Sequence, residues 1–282
     1  MSFNTLISAA ELATRLQDRN TVIVDCRFDL AQPAAGLQAY TQGHIPGSFY
    51  ADLNDVLSSP PTPSSGRHPL PDVAQFAAHC RRWGISRDSQ VIAYDSNNSA
   101  FAARLWWLLR WLGHTRVAVL DGGFKAWQER GFPTSSAATP NRHGSFIPQQ
   151  DDTRWLGADA INSRRADPNF RLIDVRAPER YAGTVEPIDP VAGHIPGAMN
   201  IPFANNLANN GTFLSASSLR SQYEANLRGI PIDHVSIMCG SGVTACHTLL
   251  ALAHAGLDGA KLYTGSWSEW IKDSRRAVAS AV

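Results

Sequence analysis

The chain reads as an α/β protein built from two tandem domains, each a parallel sheet with helices on both faces. Two observations predict this. Short apolar runs of strand length alternate with helix-period stretches across brief polar connections, the pattern of a parallel sheet covered on both sides. The pattern also occurs twice. Gly43-His44-Ile45-Pro46-Gly47 returns as Gly193-His194-Ile195-Pro196-Gly197, Val24-Asp25-Cys26-Arg27 as Ile173-Asp174-Val175-Arg176, and the run ending at Asp95 as the run ending at Cys239. Gly122-Gly123-Phe124-Lys125-Ala126-Trp127 likewise returns as Gly265-Ser266-Trp267-Ser268-Glu269-Trp270.

The elements follow in chain order. Residues 5–16, with Glu11 and Arg15 on a polar face, read as a capped surface helix. Strands are expected at 22–24, 91–94 and 117–120, where Val and Ile cluster, with helices at 73–83 and 100–112 between them. The stretch 134–150 is rich in Ser, Thr, Pro and Asn and lacks apolar periodicity, so it reads as a linker. This divides the chain into a first domain over 1–138, a linker over 139–151 and a second domain over 152–282. The second domain repeats the alternation, with strands at 172–175, 235–238 and 261–263 and helices at 219–227 and 243–255. The offset between copies is 150 residues at Gly43 (193 less 43) and 144 at Asp95 (239 less 95). A net insertion of six residues therefore falls in the first copy between Gly47 and Asp95.

Composition narrows the function. At 282 residues the chain suits two domains with separate cores, and 44% hydrophobic with 17% charged residues marks it as globular. A net charge of +1 argues against broad electrostatic binding to nucleic acid or to an anionic membrane. Four cysteines without CxxC spacing suit a reducing compartment, and residues 1–20 show neither the basic nor the apolar region of a secretory signal. The expected location is the cytoplasm.

The segment that carries chemistry is Cys239-Gly240-Ser241-Gly242-Val243-Thr244, between a buried strand and a helix. A cysteine there sits among backbone N–H groups at the positive end of a helix, where its thiolate is favoured, at the carboxyl end of a strand where α/β folds bind ligands. Comparing the copies separates scaffold from chemistry. Both GHIPG motifs, both Asp-x-Arg pairs and the Trp127/Trp270 pair are shared, so turn formation, internal ion pairing and core packing account for them. Cys239 is not shared, because its counterpart is Asp95. Arg180, counted opposite Ala31, is a second singleton whose guanidinium can grip an anionic group. Ser241 and Thr244 stand opposite Asn97 and Ala100, and their hydroxyls either contact substrate and sulfur or cap the following helix. Gly66-Arg67-His68-Pro69-Leu70-Pro71 lies in the first-copy insertion and reads either as a surface loop or as a segment closing over a cleft between the domains. Cys26, Cys80 and Cys246 read as core.

On these residues the chain resembles the tandem rhodanese-like sulfurtransferases, the family that includes rhodanese and 3-mercaptopyruvate sulfurtransferase. The resemblance runs through both GHIPG turns, both Asp-x-Arg strands and the Cys239 loop. It implies a non-catalytic first domain, a catalytic second one, and no metal or organic cofactor. The loop Cys239 to Thr244, reading CGSGVT, is similar to the mercaptopyruvate branch; thiosulfate-specific relatives carry basic residues after the cysteine. Two departures accompany it: residues 184–190 lack the second arginine usual in that branch, and Asn54 stands where an acidic partner of His68 is usual. The resemblance thus implies Cys239 as nucleophile and Arg180, the backbone of residues 240–244, Ser241 and His68 around the substrate. Donor and acceptor are expected to be small molecules, with cyanide, a thiol or a thioredoxin-like protein as acceptor. Thiosulfate as donor, and a persulfide carrier serving a protein partner, stay open as alternatives. A cysteine phosphatase does not fit, since Ala245 stands where such a loop needs arginine.

Overall fold

Short stretches rich in Val, Ile and Leu form the central strands of the first half where the sequence predicts them. In the computed structural model, which describes residues 2–96 and 98–280, the first sheet comprises β1 (Leu6–Ile7), β2 (Thr21–Asp25), β3 (Phe49–Tyr50), β4 (Gln90–Tyr94) and β5 (Val117–Leu120). All pairings are parallel, in the order β1-β5-β4-β2-β3. The helices of this half are α1 (Ala9–Ala13), α2 (Ala35–Gln42), α3 (Val73–Arg82), α4 (Ala100–Trp111) and α5 (Gly123–Glu129).

The second half contributes β6 (Trp155–Leu156), β7 (Arg171–Asp174), β8 (Met199–Asn200), β9 (Val235–Met238) and β10 (Lys261–Tyr263). They pair in the order β6-β10-β9-β7-β8, again all parallel. Its helices are α6 (Ala158–Arg164), α7 (Pro178–Ala182), α8 (Ala216–Leu227), α9 (Thr244–His254) and α10 (Ser266–Trp270). The identical strand order is the structural counterpart of the sequence repeat. In each sheet the chain leaves β2 or β7 for one edge and then returns to β4 or β9 on the other side. Cys239 follows β9 at this reversal, the usual ligand position in open parallel sheets.

One expected helix is shorter than its sequence pattern. Leu6 and Ile7 pair with β5, and the helix starts only at Ala9, where Ser8 and Glu11 form a reciprocal capping box. Each sheet has its own core, around Ile92, Tyr94, Phe124 and Trp127 in the first and Leu172, Tyr263, Trp267 and Trp270 in the second.

The chain forms two compact units. One contains the segment ending at Ser59, Leu70–Asp151 and Asn209–Phe213; the other contains Pro60–Pro69, Asp152–Ala208 and the chain from Leu214 onward. The segment after α5 is tied to the first unit by backbone bonds from Arg142 to Arg82, Gly144 to Arg81 and Gln149 to Leu112. Among the described residues no helix is long and apolar enough to cross a membrane.

The shared motifs perform matching structural tasks. Arg27 chelates Asp25 and donates to the Gly43 carbonyl at 2.7 Å; Arg176 chelates Asp174 and donates to the Gly193 carbonyl at 2.7 Å. A buried guanidinium thus fastens each strand end to its GHIPG turn. His44 stacks on Tyr40 with Nδ1 2.7 Å from its carbonyl, as His194 does on Tyr181 at 2.8 Å. These pairs also correct the repeat register. Tyr and His are four residues apart in the first copy and thirteen in the second. Nine extra residues therefore precede His194, and the counterpart of Arg180 is Ala39, the residue before Tyr40, instead of Ala31.

Candidate active site

The strand β9 ends at Met238, and the next residue, Cys239, is held by its backbone. Its carbonyl accepts from Trp267 at 3.0 Å, and its N–H donates to Ser266 Oγ at 3.1 Å. Asp95 occupies the corresponding place in the first unit, with Phe124 donating to its carbonyl at 2.8 Å. Ser266 has φ +54°, where a residue other than glycine is rare, and its hydroxyl also donates to the Tyr263 carbonyl at 2.9 Å. It is a supporting residue that the sequence shows only as one position of the repeated segment, opposite a glycine. Its counterpart, Gly123, adopts a similar φ of +60° without a side chain.

The Cys239 loop turns at Gly242, which has φ +80° and lies against the Thr264 carbonyl. This turn aims the Gly242 N–H at Cys239 Sγ, 3.2 Å away. Among the described residues it is the one amide of the loop that hydrogen-bonds the sulfur, whereas the sequence pattern suggests a cradle from residues 240–244. Thr244 begins α9, and Val243 precedes it as the cap residue. Cys239 is only 2% exposed, so the nucleophile candidate is covered. Cys246 lies in the first turns of α9 and donates to the Gly242 carbonyl at 3.3 Å. Burial pushes the thiols of Cys26 and Cys80 well up, as inert core cysteines require.

Ser241 meets His68: Oγ lies 2.8 Å from Nδ1, and both residues are buried. The sequence pairing of these two residues is therefore a direct hydrogen bond, made because Pro60–Pro69 belongs to the same compact unit as the Cys239 loop. Asn97, the residue opposite Ser241 in the repeat, lies outside the described residues.

Arg180, on α7, comes to the Cys239 loop as expected, with Nη1 and Nη2 each 3.5 Å from where a Cβ on Gly240 would lie. Its other contacts are internal carboxylates. Nε and Nη2 chelate Glu186, the shortest bond being 2.7 Å, and Nη2 reaches Asp189 at 3.2 Å. Arg67 also reaches this point: Nη2 lies 2.9 Å from the same Gly240 position, while Nη1 pairs with Asp189. In the sequence Arg67 stands out only as part of its loop, and Glu186 and Asp189 do not stand out by themselves. The signal was present in the acidic residues placed within the extra nine before His194.

The two carboxylates are held differently. Burial pushes Asp189 up despite Arg67 and Arg180. Burial also acts to raise Glu186, but hydrogen bonds from Arg180 and from the Asp189 and Ile188 amides bring its carboxyl below the usual range. The arrangement thus joins a covered sulfur facing an amide, a Ser–His pair and two arginines near one glycine. Such a set suits covalent sulfur chemistry on a small anion.

Comparisons with known proteins agree with the duplicated fold. The family model described as a rhodanese-like domain matches residues 8–130 and again 157–273. A Pseudomonas aeruginosa protein named a probable 3-mercaptopyruvate sulfurtransferase is 46% identical over 282 residues, covering 99% of both chains. A Mycobacterium tuberculosis protein carrying the name of a thiosulfate sulfurtransferase is 42% identical over 278 residues, covering 97% of this chain and 96% of its own. The crystal structure of Escherichia coli SseA, described as a 3-mercaptopyruvate sulfotransferase with the rhodanese fold, superposes with a TM-score of 0.80 at 31% identity. It covers 95% of this chain and 100% of that one. With two matched domains spanning nearly its whole length, the chain belongs to the rhodanese-like family.

Proposed function

We propose that this protein is a sulfurtransferase that carries sulfur from 3-mercaptopyruvate, as a persulfide on Cys239, to a thiophilic acceptor such as cyanide or a thiol. The Cys239 thiolate attacks the mercapto sulfur; the carbon–sulfur bond breaks and its electron pair passes to the carbon, giving pyruvate enolate. The proton of the mercapto group moves to that carbon, leaving pyruvate and a Cys239 persulfide. An acceptor such as cyanide then attacks the outer sulfur, the sulfur–sulfur bond breaks, and thiocyanate departs with the thiolate restored. Gly242 N–H is aimed to stabilise charge on sulfur, and Arg180 is the ligand for the donor carboxylate.

The observation that carries the choice of donor is the 2.8 Å bond between Ser241 and His68. Mercaptopyruvate needs a proton moved to carbon, and a hydroxyl–imidazole pair is suited to move it. Thiosulfate releases sulfite and needs no such transfer. In this reading the first domain, with Asp95 in place of the nucleophile, is non-catalytic. Among the described residues no disulfide joins the four cysteines, which favours the reducing cytoplasm, where a thiol or a thioredoxin-like protein serves as acceptor.

Steady-state assays with cyanide test this directly. The kcat/KM for 3-mercaptopyruvate is expected to exceed that for thiosulfate on one preparation, and Cys239→Ser to abolish transfer from both. A higher value with thiosulfate overturns the donor; activity surviving in Cys239→Ser overturns the mechanism.

A further inference from the structure

Two guanidiniums, not one, present hydrogen-bond donors beside the Cys239 loop. Arg67 Nη2 and Arg180 Nη1 make no hydrogen bond to another described residue, and both lie within 3.5 Å of the Gly240 Cβ position. The side chains are 30% and 18% exposed, so neither is sealed in the core. Gly240 is the residue next to the nucleophile. Any side chain there would collide with Arg67, and glycine leaves this space open.

The position of Arg67 is fixed at both ends. Its N–H donates to Ser268 Oγ at 3.1 Å, while the Ser268 N–H donates to the Gly240 carbonyl at 2.9 Å. One residue therefore ties the Arg67 backbone to that of Gly240. The approach is close, because a Cβ on Gly66 would lie 2.5 Å from the Gly265 carbonyl. At the other end, Asp189 gives Oδ1 to Arg67 and Oδ2 to Arg180. A single carboxylate, its side chain 3% exposed, thus holds together two cations that would otherwise repel.

We propose that Arg67 is a second donor-binding residue, which with Arg180 receives the anionic end of the sulfur donor over Gly240, and that Asp189 positions the pair. This rests on the sulfurtransferase reading and adds to it the ligand set for the donor's anionic group. Guanidinium pairs grip planar oxyanions through directed N–H bonds, so replacement by lysine keeps the charge and loses the fork.

The test combines turnover with a readout that needs none. In cyanide assays Arg67→Met is expected to raise the KM for 3-mercaptopyruvate about tenfold or more, as loss of a charged hydrogen bond requires, and to keep kcat within about threefold. Arg67→Lys should fall between Arg67→Met and wild type, and Asp189→Asn should raise KM in the same direction. A thiosulfate series separates the anions: an effect on both donors assigns Arg67 to oxyanions in general, and an effect on mercaptopyruvate alone assigns it to carboxylates. Unchanged KM in both series overturns the proposal.

Independently, pyruvate should protect Cys239 from alkylation by iodoacetamide, and half-protection should need about tenfold more pyruvate in Arg67→Met. Equal protection of folded wild type and variant, or no protection of wild type, overturns the role of Arg67. Absence of turnover from wild type with either donor overturns the sulfurtransferase reading instead, and the protection ratio still decides the role of Arg67. If Arg67→Met does not fold, Gly240→Ala serves in its place. Its new methyl pushes chiefly on the flexible arginine ends, and it should raise both KM and the half-protection concentration.

Discussion

Asp95 and Cys239 show how one side chain changes what the same turn does. The Asp95 carboxylate accepts from the Ser99, Phe101 and Ala102 amides at 2.9, 2.9 and 3.1 Å, filling the start of α4 with its own charge. Burial still pushes this carboxyl up, against the pull of those three amides. Cys239 instead has one loop amide on its sulfur, 3.2 Å away, and brings no carboxylate to the start of α9. Asp95→Ala should therefore leave two buried donors and a half-buried one unsatisfied and cost about 2–3 kcal/mol in urea unfolding. Sulfur transfer per folded molecule should persist, since Asp95 touches none of the proposed machinery. At this scale differences between the copies drew attention to Cys239, Arg180 and Ser241, which the structure places in or beside one loop. It was silent about Ser266, because a serine opposite a glycine looks like drift until its φ and its bond to Cys239 are known.

Among the elements, the β9–loop–α9 unit depends on Gly242. A methyl there would demand φ near +80° and would collide with the Thr264 carbonyl, which belongs to the backbone and yields little. Gly242→Ala is expected to cost about 1–3 kcal/mol of stability. It should also slow sulfur transfer about tenfold or more by turning away the amide on Sγ; urea unfolding and cyanide assays read the two effects separately. The central strands of the first sheet were legible because three or four consecutive apolar residues, at 22–24, 91–94 and 117–120, lie too close to turn signals for a helical alternative. The two-residue strands β1, β3, β6 and β8 were not, since pairing with a neighbour defines them more than their composition does. The same cause trimmed the first helix: Leu6 and Ile7 fit a helical stripe, but a vacant sheet edge and the Ser8 capping box claimed them for β1.

Across the whole molecule, two of the insertions that distinguish the copies carry charged residues near the Cys239 loop, one Arg67 and His68 and the other Glu186 and Asp189. Arg67 and Asp189 pair across 122 residues of sequence. No local pattern encodes such a pairing, which is why counting between repeats located the first insertion without revealing its partner. The ion cluster also sets an acid response. Glu186 has its carboxyl held below the usual range, so its ionised form stabilises the fold above the ordinary carboxylate pKa, about 4.3. That contribution fades as pH falls further, through the lowered folded value. Asp189 is shifted the other way and takes up its proton first on acidification. Melting temperatures measured from neutral pH downward should fall less steeply below about pH 4 in Glu186→Gln than in wild type. Parallel slopes would show that this carboxylate does not contribute to the acid response.

The placement of Pro60–Pro69 with the second compact unit has a practical outcome for anyone cutting the gene at its repeat boundary. A fragment starting after the first repeat would keep the sulfur and Arg180 yet discard His68 and Arg67 together. On the proposed reading the first repeat thus lends two side chains to the Cys239 loop of the second, so such a fragment should transfer sulfur far more slowly than the whole chain.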